Sequence, residues 1–163
     1  MAERGITSAV VACGGTGGHV YPAIAIARAL AERHPAARLS FVGRAGSFES
    51  QAVEREGFEL DALRIGRLVG QGLATRAKTL AQLPLAVGRA ARVLGRRRPG
   101  VVIGTGGFVS GPTVLAAVLR RVPVVVQEQN AVPGLTNRVL CALADRVALA
   151  HPREGAHPPK YRV

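Results

Sequence analysis

Three stretches of the 163-residue chain combine glycines with side chains that can hold a phosphate or move a proton. The first, Gly14-Gly15-Thr16-Gly17-Gly18-His19, lies directly between an apolar run and a helical pattern. Glycines let a backbone approach a ligand closely, and the amides that open a helix favour an anion such as a diphosphate. A tight strand-to-helix turn is the plainer reading, but such a turn rarely needs four glycines in five positions. A dinucleotide fingerprint would want glycine where Val20 stands and an acid where Gly43-Arg44 closes the second strand, and a P-loop would want lysine after the glycines. His19 opens the helix, where the positive end of the dipole disfavours imidazolium, so a neutral ring there could accept a proton from an attacking hydroxyl. A histidine that merely hydrogen-bonds the loop explains the residue equally well.

The second stretch, Gly104-Thr105-Gly106-Gly107-Phe108-Val109-Ser110-Gly111-Pro112, repeats the order of strand, glycines and helix. Ser110 could cap that helix and Pro112 would fit its first turn. Two such loops at neighbouring strand ends could together hold an extended diphosphate. Phe108 is a core plug or a platform for a ligand, with the core favoured. The third stretch, Gln127-Glu128-Gln129-Asn130, follows an apolar strand, so its polar groups emerge at the carboxyl edge of a sheet. Glu128, a carboxylate amid basic sequence, should stay ionised and could serve as a base, an orienter of a histidine or a hydroxyl ligand. A polar turn is the plain alternative. Asn137 reads as a cap or an exposed residue.

The charge is unevenly placed. The formal net charge is +12, yet residues 62 to 127 contain no acid and hold 11 of the 22 basic residues, which leaves +1 for everything else. A field of this kind attracts phosphates of nucleic acid, of an anionic membrane or of a phosphorylated substrate. A bias toward arginine would explain the many Arg but not the missing acids. Cys13 and Cys141 are the only cysteines and show no metal or disulfide spacing, which fits a reducing cytoplasm. Pro99 to Leu119 is uncharged, but its five glycines after Pro99 and a second proline make it strand, loop and helix instead of a membrane span.

The elements that must position these loops alternate along the chain. Strands are expected at Ser8 to Cys13, Leu39 to Val42, Leu60 to Ile65, Val101 to Ile103, Val122 to Gln127 and Arg146 to Leu149. Between them run helical patterns from Val20 to Arg33, from the N-cap Ser47 to Glu56, from Leu73 to Leu94 with a bend or restart at Pro84, from Pro112 to Arg120 and from Leu135 to Ala144. Apolar strands separated by helices predict an α/β domain, a doubly wound Rossmann-like parallel sheet over residues 1–150. The tail from His151 to Val163, rich in Pro and His, reads as a linker. In such sheets ligands sit outside the carboxyl ends of the strands, which singles out the loops after Cys13, Ile103 and Val126.

At these loops the sequence resembles the MurG-type N-acetylglucosaminyltransferases of peptidoglycan synthesis, through GGTGGHVYPAIAIA from Gly14, GTGGFVSGPTVLAA from Gly104 and EQNAVPGLTNRVL from Glu128. The resemblance implies a GT-B enzyme of two Rossmann-like domains, of which this chain is the amino-terminal, acceptor-side half. It implies transfer of N-acetylglucosamine from UDP-N-acetylglucosamine to lipid I with inversion, and a carboxy-terminal domain that supplies most of the grip on the sugar nucleotide. By match to the family's motifs, Thr16, Gly17, Gly18 and Asn130 contact the donor, and His19 is the candidate base with Glu128 as alternative base or orienter. Gly14, Gly15, Gly106, Gly107 and Ser110 fit the acceptor diphosphate. No cofactor and no obligatory metal are implied, and Asp61 and Asp145 form no DxD pattern. Phe108 stands where the family commonly has Tyr, and Gln127 where it commonly has His.

A membrane-lipid acceptor gives the basic span a purpose, holding the protein peripherally on the anionic cytoplasmic face of the inner membrane. Isolated, the half is expected to be inactive. Competing readings are an NADP-binding Rossmann domain using Arg44, a non-catalytic phosphate- or membrane-binding module, and a nucleic-acid binder. The last is disfavoured because two Tyr, four Phe and no Trp leave few stacking platforms.

Overall fold

The computed structural model describes residues 5–64, 81–152 and 159–162. Strands and helices alternate: β1 (Ser8–Cys13), α1 (Gly17–Arg33), β2 (Arg38–Gly43), α2 (Phe48–Arg55) and β3 (Glu59–Ala62) come first. After them run α3 (Leu83–Arg97), β4 (Val101–Gly106), α4 (Ser110–Leu119), β5 (Val124–Glu128), α5 (Leu135–Leu143), β6 (Arg146–Leu149) and β7 (Tyr161–Arg162). The seven strands form one sheet in the order β3-β2-β1-β4-β5-β6-β7, and every pairing is parallel. The expected doubly wound α/β architecture is what the chain adopts.

β1 is central and all six of its residues are buried, as a strand covered on both faces requires. Its alternate side chains divide between two cores. Val11 and Cys13 pack with Val20, Ala23, Ile24 and Ala27 of α1 and Val53 of α2. Val10 and Ala12 face Ala90, Val93 and Leu94 of α3, Val114 and Ala117 of α4 and Leu140 of α5. Each fully buried valine here contributes roughly 1.5–3 kcal/mol, so β1 anchors the sheet from which the loops project.

Successive crossovers run outward in opposite directions from β1 and β4, so the topological switch point lies between these two strands. Their ladder keeps register from Ala9↔Val101 to Ala12↔Gly104, then slips so that Cys13 faces Gly106. A bulge of this kind bends the strand end locally. Here it sets the start of the first glycine loop against the second.

Several expectations hold at the level of caps and several move. Ser47 is the N-cap of α2, with Ser50 completing a reciprocal capping box. Pro84 sits in the first turn of α3, which begins at Leu83. The rest of that long pattern, Leu73 to Leu80, and the end of the third strand at Ile65 lie outside the described residues. The expected linker is in part an edge strand: Tyr161 and Arg162 pair with Val147 and Ala148. Lys160 donates from Nζ to the carbonyls of Cys141, Ala142 and Ala144, satisfying the open end of α5. Two residues of strand are too short to leave a periodic pattern in a sequence.

Candidate functional site

A pocket of about 430 Å³ opens at the switch point, lined by Gly14, Gly15, Thr16 and His19 from the first loop, Gly107 and Phe108 from the second, and Asn130 with 134–137 from the third. Two helices, α1 and α5, begin in its wall, and α4 begins behind Phe108 at the buried Val109. The N-cap positions of α1, α4 and α5 are Thr16, Val109 and Gly134; none makes a side-chain cap bond, and no acid stands in any of the three first turns. By contrast α2, whose start lies off the pocket lining, has both a capping box and Glu49 in its first turn. Uncapped helix starts present free amides and positive potential, so the pocket is built to receive an oxyanion.

His19 is held by β4. Its Nδ1 lies 2.9 Å from the main-chain oxygen of Thr105, and the Thr105 hydroxyl donates to the main-chain oxygen of His19 at 2.8 Å. A carbonyl can only accept, so Nδ1 carries the hydrogen and Nε2 the lone pair. Gln129 fixes the same edge of the ring. Its Nε2 stands 2.7 Å from Nδ1 while its Oε1 is buried without a partner. Two donors cannot face each other, and turning the amide over lets Oε1 share Nδ1–H with the Thr105 carbonyl, which leaves the tautomer unchanged. The half-buried ring lines the pocket, and no described residue bonds Nε2.

Glu128 plays a different part from the one the sequence suggested for a base. It is 1% exposed. Oε1 accepts from the main-chain N–H of Asn130 at 2.8 Å and from its Nδ2 at 2.9 Å, while Oε2 accepts from Nδ2 of Asn137 at 2.9 Å. With three donors directed at it and no bond to His19, the carboxylate organises the third loop and orients Asn130, which reaches the pocket. Asn137, expected to cap or be exposed, is buried, and its unpartnered Oδ1 belongs to a residue of the pocket wall.

The two glycine loops touch. Gly107 has φ of +83°, and a Cβ there would come within 1.7 Å of the Gly14 carbonyl oxygen. Gly106 has φ of +110°, and a Cβ there would stand 2.6 Å from Nδ1 and Cε1 of His19. Both positions demand glycine twice over, by conformation and by space. Gly106 is therefore needed behind the imidazole and does not line the pocket. Ser110 is also a correction. It is the first residue of α4, not its cap, and is fully buried, with Oγ 2.7 Å from the carbonyl of Ala12 and 2.6 Å from that of Gly106. It ties β1 to β4 and has no hydroxyl to offer a ligand.

Gly14, Gly15, Thr16, His19, Gly107 and Asn130 thus converge on one pocket, with Gly17 and Gly18 in the first turn of α1 beside it. Phe108 lines the pocket and so is a wall of the ligand space, not a core plug. Thr105 and Glu49 had no signal of their own, while Gln129 and Asn137 stood out only as polar residues with no assigned role. Glu49, 4% exposed, accepts from the amide of Gly15 at 3.3 Å and so fixes the first loop from beneath. Beside it, burial and then the Glu49 charge push the Cys13 thiol up to about 12. Among the described residues no three His, Cys, Asp or Glu side chains group closely enough to hold a metal ion.

Known proteins resemble the chain in sequence and in fold. Residues 9–149 match the N-terminal domain of glycosyltransferase family 28. The UDP-N-acetylglucosamine–N-acetylmuramyl-(pentapeptide) pyrophosphoryl-undecaprenol N-acetylglucosamine transferase of Myxococcus xanthus is 42% identical over 154 residues, which is 94% of this chain and 40% of that protein. The transferase of the same description from Moorella thermoacetica is 44% identical over 93% of this chain and 41% of its own length. The chain therefore spans about two fifths of these curated relatives. The crystal structure of Acinetobacter baumannii MurG superposes with a TM-score of 0.82 at 29% identity, covering 95% of this chain and 44% of that one. A UDP-N-acetylglucosamine 2-epimerase, at 15% identity and a TM-score of 0.64, shares the fold.

Proposed function

We propose that this chain, which belongs to glycosyltransferase family 28 through a domain of the family's amino-terminal type, is the acceptor-side half of an inverting N-acetylglucosaminyltransferase. The donor is UDP-N-acetylglucosamine and the acceptor is lipid I, an N-acetylmuramyl-pentapeptide linked through a diphosphate to a polyprenol. One observation carries the reading: the uncapped starts of α1 and α5, the two glycine loops and a histidine with a free Nε2 meet at a single pocket.

The chemistry follows from that arrangement. The acceptor diphosphate rests against the amides of the two glycine loops, which are fixed before the ligand arrives. Its sugar then presents the C4 hydroxyl to His19. Nε2 takes the hydroxyl proton as the oxygen bonds to the anomeric carbon, and the bond from that carbon to the UDP oxygen breaks on the opposite face. Thr105 supports the imidazolium that forms, because its carbonyl still accepts from Nδ1. Thr16 and Asn130 stand where the donor would enter. The rest of the grip on the donor falls to a second domain, so the 163-residue chain alone should not turn over UDP-N-acetylglucosamine.

The same proposal places the protein at the cytoplasmic face of the inner membrane, where such an acceptor resides. No helix among the described residues is long and apolar enough to cross a bilayer. Support comes from the basic residues: Arg96 and Arg97 pair with Asp61, and Arg97 also with Glu59, whereas Arg89, Arg92 and Arg98 have no acidic partner among the described residues. Sedimentation with vesicles should show a preference for anionic lipid, and equal binding to neutral vesicles would remove the membrane arm.

The acceptor arm is tested by titrating the isotope-labelled chain with a short-chain polyprenyl-diphospho-N-acetylmuramyl-pentapeptide. Signals of His19, Phe108 and Asn130 should move together and saturate. Silence from these residues, combined with saturable binding of NADPH, would replace the transferase reading with the dinucleotide one.

A further inference from the structure

A second concavity, of about 500 Å³, lies at the carboxyl ends of β2 and β3, on the far side of β1 from the His19 pocket. Among the described residues its wall carries the guanidinium groups of Arg44, Arg64 and Arg89, with Leu63 and Leu85 as apolar surface and Gln82 as a neutral polar side chain. No carboxylate lines it, and none of the three arginines has an ion-pair partner among the described residues. The nearby acids of β3, Glu59 and Asp61, are taken by Arg96 and Arg97. Arg89 donates from Nη1 to the main-chain oxygen of Arg64 at 3.3 Å, which fixes one side of its fork and leaves the other for a ligand.

We propose that this groove binds the carboxylate-bearing peptide branch of the acceptor. The assignment rests on the acceptor reading above and adds to it a subsite. An acceptor of that kind has one diphosphate, and the uncapped helix starts at the switch point already provide for it. Its remaining anions are the carboxylates of its peptide. Guanidinium forks match carboxylates in a planar, two-point fashion. The leucines suit the aliphatic parts of small residues, and Gln82 can pair with a peptide amide. The distances agree as well. β3 is two strand spacings from β1, roughly 10 Å across the sheet, and five extended residues span at most roughly 17 Å. A peptide leaving the sugar beside the reacting hydroxyl therefore reaches the arginines, with the chain direction set by the sheet edge.

The test titrates the labelled chain with acetyl-Ala-Glu-Ala-Ala-Ala bearing free carboxylates, and with its neutral twin, acetyl-Ala-Gln-Ala-Ala-Ala amide. Parallel arms use inorganic pyrophosphate and phosphatidylglycerol vesicles. The acidic peptide should move signals of Arg44, Leu63 and Leu85, and bind at least tenfold more tightly than the neutral twin. The Arg44→Gln/Arg89→Gln double variant, whose changes are at the surface, should lose at least tenfold in peptide affinity with an unchanged fold by its spectrum. Pyrophosphate should move His19 and Gly107 instead. Equal binding of the two peptides, or groove signals that answer only to pyrophosphate or only to vesicles, would overturn the proposal. If pyrophosphate leaves the His19 pocket unmoved while the acidic peptide moves the groove, the acceptor reading fails and the carboxylate site stands.

Discussion

Nδ1 of His19 and the main-chain oxygen of Thr105 lie 2.9 Å apart although 86 residues separate them in the chain. The contact sets the tautomer of the imidazole, and it exists only because β1 and β4 are neighbours in the sheet. Long-range proton–nitrogen correlation spectra should show hydrogen on Nδ1 and none on Nε2. In the complete two-domain enzyme, His19→Ala should lower kcat by roughly 10²–10⁴-fold, the range for loss of a general base. Hydrogen found on Nε2 in the neutral ring would contradict the assignment.

Glu128 is expected to act through Asn130 and Asn137. Glu128→Gln turns one accepting oxygen into an N–H that faces another N–H, at a cost of about 1–3 kcal/mol in a buried setting, measurable as a lower urea midpoint. In the complete enzyme the variant should raise KM more than it lowers kcat and keep the acidic limb of the pH–rate profile. Loss of that limb in Glu128→Gln, with its retention in His19→Ala, would exchange the two roles.

Gly107→Ala should destabilise the domain by about 3 kcal/mol or more, because positive φ and a backbone collision act together. The Gly14 carbonyl that a new Cβ would strike at 1.7 Å cannot swing aside as a side chain would. Gly111→Ala is the matched control in the same segment, since a Cβ there meets nothing within 4 Å. It should leave the thermal midpoint the same or slightly higher.

How far the sequence reveals these relationships depends on whether they are local. Glycine runs, the Ser47 cap, the proline that opens α3 and the alternation of strand and helix are written in adjacent residues, and the structure follows them. Thr105, Gln129 and Glu49 act through contacts 34 to 110 residues away, formed only when the sheet order is in place. Ser110 and Glu128 carried polar side chains at promising positions but turned inward to satisfy main-chain and amide groups. A polar residue near a site and a polar residue in it look alike until burial is known. That the loops meet at one pocket was legible; the division between its lining and its supports was not.

Cys13 makes stability depend on alkaline pH. Burial, followed by the charge of Glu49, raises its thiol from 9.0 to about 12. The folded chain therefore keeps a proton that the unfolded chain releases, and the contribution is present below pH 9 and lost between about 9 and 12. Wild type should lose up to about 1.4 kcal/mol per pH unit in that window relative to Cys13→Ala. Urea midpoints of the two proteins at pH 8 and 10.5 measure the difference. A gap that does not widen with pH would refute it.

Removing the carboxylate of Glu49 should free the Gly15 amide. Glu49→Ala is expected to speed hydrogen exchange at Gly15 well beyond that at Val10, which stays locked in the sheet. Glu49→Gln can still accept from the amide and should restore protection while bringing the Cys13 thiol down. Unchanged exchange in Glu49→Ala would show that the loop holds its shape without the bond.

Helix starts left open by Thr16 and Gly134 distinguish charge better than they distinguish molecules. Sulfate, inorganic phosphate and citrate all satisfy such amides, so the salts of an ordinary buffer become competitors of whatever the protein binds. Affinities recorded in phosphate should be weaker than those in a medium of bulky monovalent ions, by a factor set by the phosphate concentration relative to its own dissociation constant.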